Sequence, residues 1–228
     1  MASHDPFRAI SGQKRQRGID ELFATAQPHM DQLFSAMNAL GLPKGFGRAL
    51  EFGCGAGRFL RHLELKFREV WGVDVSDVMV QLASKYNPRC NIHLNTAPDL
   101  GVFPSDHFDL IYSFLVLQHL PNKSTIELYL REFVRVLAPN GLLAFQLPNH
   151  LSLRWRLQPR RRAYRLLNSV GLSAQRLQSW NLLPMSVIAI PEHSVQALIR
   201  STGASISRKD VLGANDGIMY YCTKQRQS

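Results

Sequence analysis

Three glycines at alternating positions, one carboxylate and one imidazole carry most of the chemistry legible in this chain. Residues 49–60 read Ala-Leu-Glu-Phe-Gly-Cys-Gly-Ala-Gly-Arg-Phe-Leu. An apolar pair leads into Glu51; Gly53, Gly55 and Gly57 follow, and a helical pattern then runs to about Phe67. That order predicts a strand, a tight turn and a helix. Glycine accepts positive φ there and lets backbone approach a ligand with no Cβ in the way. The free N–H groups of the turn and helix start then face that ligand. Seventeen residues past Gly57, the segment Glu69-Val70-Trp71-Gly72-Val73 ends in Asp74. A carboxylate at the end of a second strand can accept two hydrogen bonds from ribose hydroxyls. Farther on, Ser113-Phe114-Leu115-Val116-Leu117-Gln118-His119-Leu120-Pro121 sets an imidazole, which titrates near working pH, in a loop after an apolar strand.

Spacing decides which cofactor the glycines suit. A dinucleotide fingerprint needs Gly-x-Gly-x-x-Gly, and the place of its third glycine is taken here by Arg58. The pattern Glu-x-Gly-x-Gly-x-Gly resembles instead the first motif of the class I S-adenosylmethionine methyltransferases. Gly-Val-Asp-Val-Ser (72–76) is similar to that family's acid at the end of the second strand. Phe108-Asp109-Leu110-Ile111 with the following His and Pro resembles its fourth motif, and Arg135-Val136-Leu137-Ala138-Pro139-Asn140-Gly141 its turn into the fifth strand. The resemblance covers roughly 45–148 strongly and 190–224 loosely. It implies S-adenosyl-L-methionine as cofactor and S-adenosyl-L-homocysteine as product. It further implies cofactor contacts from Glu51, Gly53, Cys54, Gly55, Gly57, Asp74, Val75, Met79, Thr96, Ala97 and Ser113. Many relatives carry an Asp at the adenine; this chain has Thr96 there, beside Asn95.

The elements that must position these groups alternate. Strands are expected at 48–52, 69–74, 91–94, 108–114 and 142–147. Helices are expected at 57–67, 76–86 and 123–137, with Ser76 as an N-cap. Such alternation implies an α/β fold: a doubly wound, mostly parallel seven-stranded sheet with helices on both faces. An antiparallel last strand closes it, as the resemblance implies. Residues 19–40 recur at helical spacing and end at Gly41, which predicts one amphipathic helix, packed on the sheet or serving as a lid. The whole chain, 1–228, is expected to be a single domain. Its parts are an N-terminal arm and helix (1–44), a core (45–148), an Arg-rich insert (149–190) and a C-terminal helix with two strands (191–228).

Composition bounds the partners. The formal charge is +10, and 151–176 holds seven arginines and no acid, with Trp155 and Tyr164 among them. Such a segment favours anionic partners. It is expected to face the acceptor, with Arg154, Trp155, Gln118 and His119 as the acceptor-binding candidates. Cys54, Cys90 and Cys222 are widely spaced and spell neither a disulfide framework nor a zinc site. No metal site is expected. The longest apolar runs are far short of the ~20 residues that span a bilayer, and no secretory signal is expected. A reducing cytoplasm is the simplest home.

Methyl transfer from a sulfonium needs mainly an in-line nucleophile, and a general base adds about 10²–10⁴-fold when that nucleophile is a hydroxyl. His119 is the candidate base. Three readings stay open. The first is a methyltransferase acting on oxygen or nitrogen of a small anionic metabolite. The second is an RNA or protein methyltransferase using the arginines on an acidic polymer. The third is a non-catalytic S-adenosylmethionine-binding partner. An amine mechanism on a flipped base is disfavoured, because Ser113-Phe114-Leu115-Val116 stands where an (Asp/Asn)-Pro-Pro-(Tyr/Phe) loop would be.

Overall fold

The computed structural model describes residues 18–151, 159–173, 176–177, 180, 187–213 and 217–225, with side chains omitted at 159–161. Strand β1 (Arg48–Phe52) pairs in parallel with β2 (Glu69–Asp74), and β2 with β3 (Asn91–Leu94). On its other edge β1 pairs in parallel with β4 (Phe108–Ser113), and β4 with β5 (Leu137–Leu147). Strands β6 (Ala204–Val211) and β7 (Ile218–Lys224) complete one sheet in the order β3-β2-β1-β4-β5-β7-β6. Only β7 is reversed in it, running antiparallel to both β5 and β6. The chain leaves β1 toward β3 and returns on the other side at β4. Their carboxyl ends therefore flank the crevice where such sheets bind ligands.

Side chains of the sheet alternate between two apolar layers, as buried parallel strands require. Leu50 and Phe52 join Ile111, Leu143 and Phe145 on one face. There they meet Leu130 and Phe133 of α5 (Lys123–Val136) and Val195 and Ile199 of α7 (Glu192–Ser201). Ala49, Leu110 and Ala144 face the other way. They meet Met30 and Leu33 of α2 (Gln27–Leu40), Leu60 and Leu63 of α3 (Leu60–Leu63), and Ala83 of α4 (Asp77–Tyr86). A sixth helix, α6 (Pro159–Ser169), lies in the Arg-rich segment. Among the described residues no helix is long and apolar enough to cross a membrane.

Three boundaries differ from the sequence expectation. The single helix expected over 19–40 is two, α1 (Ile19–Ala24) and α2, separated at Thr25 and Ala26. Pro28 lies in the first turn of α2, where its missing N–H is tolerated, and could not have continued α1. α3 is one turn long instead of eleven residues, because the glycine turn occupies the residues before it. β5 starts at Leu137 rather than Leu142, carrying Asn140 at φ 62° and a register shift opposite Phe108–Leu110. Ser76 does cap α4, its Oγ accepting from the Met79 N–H at 3.5 Å, and Asn122 caps α5 through the Thr125 N–H at 2.8 Å.

Candidate functional site

The turn after β1 is held by hydrogen bonds and by missing side chains. The N–H groups of Gly53 and Cys54 both donate to the Val73 carbonyl, at 2.8 and 3.0 Å, tying the turn to the end of β2. Gly53 has φ 73°, and a Cβ on it would stand 2.4 Å from Cγ2 of Val116 in the loop after β4. The first and fourth strand ends can approach each other only because that Cβ is absent. Gly57 is similar on the inner side: φ is 83°, and a Cβ would lie 2.3 Å from Nδ2 of the buried Asn87.

Asp74 ends β2 with its carboxylate already oriented. Oδ2 accepts from the Gly55 N–H at 2.8 Å and Oδ1 from the Ser76 N–H at 2.9 Å. A carboxylate has about four lone-pair sites, so each oxygen keeps one to offer. Two fixed acceptors side by side match a vicinal diol.

A cleft of about 510 Å³ opens beside Asp74, within the range of small-molecule sites. Its walls are the ends of the first four strands: Phe52 and Gly53, Val73 to Val75, Asn95 to Pro98, and Val116 with His119 to Pro121. Thr125 and Tyr129 of α5 close it. Most of these are apolar, which suits a flat aromatic base. The loop after β3 is fastened from α5. The Tyr129 hydroxyl donates to the Ala97 carbonyl at 2.7 Å, and Asn95 Nδ2 to the Asp99 carbonyl at 3.0 Å. One turn along, Glu132 accepts the Leu100 N–H at 2.9 Å while Arg135 donates to the Leu100 and Phe103 carbonyls. The Arg135 guanidinium, bound to Glu132 at 2.7 Å, holds that carboxyl below its usual range.

Beneath the glycine turn sits a second polar group. Glu51 is buried, and its Oε2 has no hydrogen-bond partner. Burial pushes its carboxyl well above the usual range, the Arg58 charge opposing and the Asp74 charge reinforcing. Arg58 donates to Thr25 Oγ1 at 2.8 Å and lies 4.3 Å from the Phe59 ring centroid. The start of α2 reaches the same corner, with the His29 ring 4.3 Å from that of Phe114. α2 thus packs on the sheet, with its first turn against Phe114 just past the end of β4.

The structure sorts the residues named from sequence into three groups. Gly53, Asp74, Val75, Thr96, Ala97 and His119 line the cleft together. Glu51, Cys54, Ser113 and Gln118 are buried behind it. The Cys54 thiol is turned under Gly72, where a Cβ would be 3.0 Å from Sγ, and Gln118 Nε2 is 3.4 Å from His119 Nε2. Gly55 stands behind Asp74, while Gly57 and Met79 are not cleft-lining. Arg154 and Trp155 lie outside the described residues. Sequence reasoning did not single out Phe52, Val116 or Tyr129. Tyr129 recurs with Phe133 and Val136 at helical spacing, so periodicity marks it only as core. Among the described residues no group of three or more His, Cys, Asp or Glu is placed to hold a metal ion.

Comparison with known proteins places this geometry. A family model described as a methyltransferase domain matches residues 50–145. Trans-aconitate 2-methyltransferase of Methylobacterium radiotolerans is 36% identical over 106 residues, 46% of this chain and 39% of that protein. Malonyl-[acyl-carrier protein] O-methyltransferase of Halorhodospira halophila is 34% identical over 102 residues, 43% of this chain and 34% of that protein. The matched segment therefore spans well under half the length of either relative. In fold, the chain is similar to magnesium protoporphyrin IX methyltransferase from Synechocystis, solved with bound S-adenosylhomocysteine. The TM-score is 0.62 at 16% identity, over 97% of this chain and 94% of that one.

Proposed function

We propose, from the premise that the chain carries a class I S-adenosylmethionine-dependent methyltransferase domain over residues 50–145, that it methylates an oxygen, or a nitrogen, of a small anionic metabolite. The observation that carries this reading is Asp74. Its carboxylate is fixed by two backbone N–H groups at the mouth of a largely apolar cleft, with one lone pair free on each oxygen. The residues present fit the cofactor. Asp74 would accept the ribose hydroxyls, the backbone of the glycine turn at Gly53 would run beside the chain between ribose and methionine, and Val75 with Thr96 to Pro98 would enclose the base. When bound, the cofactor supplies a methyl group on a sulfonium, a leaving group that needs no further activation.

The chain's own share is placement and proton handling. The Tyr129–Ala97 bond keeps the base-binding loop closed on the cleft, so the site is shaped before ligand arrives. Val116 and Leu120, which line the cleft, would give the reacting end an apolar wall. His119 stands on the rim opposite the end of β2, beside Gln118, and would take a proton from a hydroxyl or amine acceptor through its imidazole. A carboxylate acceptor is already deprotonated at neutral pH and would leave His119 only an orienting role. The names of the two curated relatives, one for an acid and one for an acylated carrier protein, support an acidic acceptor. So does Arg154, which with Trp155 would reach it from the Arg-rich segment.

The test is methyl transfer from methyl-labelled S-adenosylmethionine into a fractionated extract of the source cells. Label in organic acids of low mass is expected. Label found only in RNA or only in protein would move the acceptor to a polymer. No label, with cofactor binding intact, would leave either an acceptor missing from the extract or a non-catalytic role.

A further inference from the structure

We infer that α6, in the Arg-rich segment, docks the protein onto an anionic phospholipid bilayer. The inference is independent of the acceptor assigned above. α6 reads Pro-Arg-Arg-Arg-Ala-Tyr-Arg-Leu-Leu-Asn-Ser, with four arginines and no acid. Ala163, Leu166, Leu167 and Val170 fall at i, i+3, i+4 and i+7, which is one stripe of a helix. Arg165 and Asn168 fall on the opposite side. Ala163 and Leu167 are half-buried, but Leu166 and Val170 are each 66% exposed. The stripe ends in a fixed turn: the Leu172 N–H donates to the Leu167 carbonyl at 3.1 Å, with Gly171 at φ 93°.

Neither half of this pattern means much alone. A single exposed leucine is ordinary, and arginine-rich helices are often solvated. Their combination is different, because two large apolar side chains four residues apart are exposed with the exposed Arg162 at one border of their face and Arg165 farther round the helix. Helices that lie in the membrane interface separate apolar and basic surfaces in this way. Later in the same segment Trp180 is 52% exposed, with the Arg176 guanidinium 5.7 Å from its ring centroid. Indole rings favour the headgroup level of a bilayer.

Charge complementarity selects the occupant. Seven of the ten net positive charges lie in 151–176, so the partner is anionic. RNA would engage the arginines but leave Leu166 and Val170 in water. A bilayer of acidic lipid engages both, phosphates pairing with guanidiniums while the apolar pair enters the acyl boundary.

The experiment is co-sedimentation of the full chain with phosphatidylcholine vesicles, with and without an equal part of phosphatidylglycerol. The protein is expected to pellet with the mixed vesicles, not with phosphatidylcholine alone, and to be released as salt rises. Leu166→Asp with Val170→Asp should abolish pelleting. Arg162→Glu with Arg165→Glu should weaken it by roughly fivefold or more per arginine. Both variants should keep wild-type binding of S-adenosylhomocysteine, which reports an intact fold. Failure of the wild type to pellet overturns the inference, as does equal pelleting on both vesicles or undiminished pelleting of the apolar variant. Binding of a homopolymeric RNA in place of the vesicles overturns it in favour of the polymer.

Discussion

The Tyr129 hydroxyl donates to the Ala97 carbonyl at 2.7 Å across 32 residues of sequence, joining α5 to the loop that walls the cleft next to Asp74. Asn95 reinforces the link, its Nδ2 lying 3.5 Å from the same hydroxyl. Tyr129→Phe keeps the ring and removes only this coupling. A neutral hydrogen bond contributes about 1 kcal/mol net. The variant should therefore bind S-adenosylhomocysteine roughly threefold to tenfold more weakly by calorimetry, with little change in melting temperature. A large loss of stability with unchanged affinity would assign Tyr129 to the core alone.

Gly53 and Val116 are similarly interdependent. A Cβ at Gly53 would be 2.4 and 2.5 Å from the two Val116 methyls, and the backbone is at φ 73°. Gly53→Ala should cost about 1–3 kcal/mol in urea unfolding. Adding Val116→Ala should recover the steric share and leave the conformational one. Strictly additive effects would show that the close approach is not what requires glycine.

Glu51 supplies a pH signature. Burial raises its carboxyl well above 4.5, outweighing the opposing Arg58 charge. The folded state therefore prefers the neutral acid. The stability this gives is complete below the ordinary glutamate value and is lost as pH rises through the raised folded one. Glu51→Gln removes that loss. Its melting temperature relative to wild type should climb as pH rises from the ordinary glutamate value toward the raised one. A difference that stays flat across that range would mean Glu51 is ionised and paired throughout.

His119 lines the cleft beside Gln118. If it handles the proton of a hydroxyl acceptor, His119→Ala should lower kcat by about 10²–10⁴-fold. It should also remove the acid limb of the pH–rate profile and leave cofactor affinity unchanged. Equal turnover in the variant would limit His119 to a structural or orienting role.

The short parallel strands were legible because each is an apolar run ended by a turn residue. β1, β2 and β3 fall where the sequence places them, and the mostly parallel seven-stranded sheet with an antiparallel last strand follows from alternation plus the resemblance. Gly53 and Asp74 were legible because few other residue types do their work at those positions. What escaped depends on distance. Nothing local in Tyr129 reveals a hydroxyl aimed at a carbonyl 32 residues earlier, and Val116 gains meaning only when its methyls meet Gly53. The break between α1 and α2 was written in Pro28, but the apolar spacing runs through it unchanged. Pro139 and Gly141 fit a helix stop and a turn before β5, whereas the strand takes them in and absorbs the irregularity as a register shift.

The central claim, that this cleft holds S-adenosylmethionine through Asp74, is tested most directly by titrating S-adenosylhomocysteine calorimetrically into the wild type and Asp74→Ala. The account predicts single-site binding to the wild type and a Kd about tenfold to a hundredfold higher in the variant, the weight of hydrogen bonds to a charged group. An unchanged Kd would contradict it.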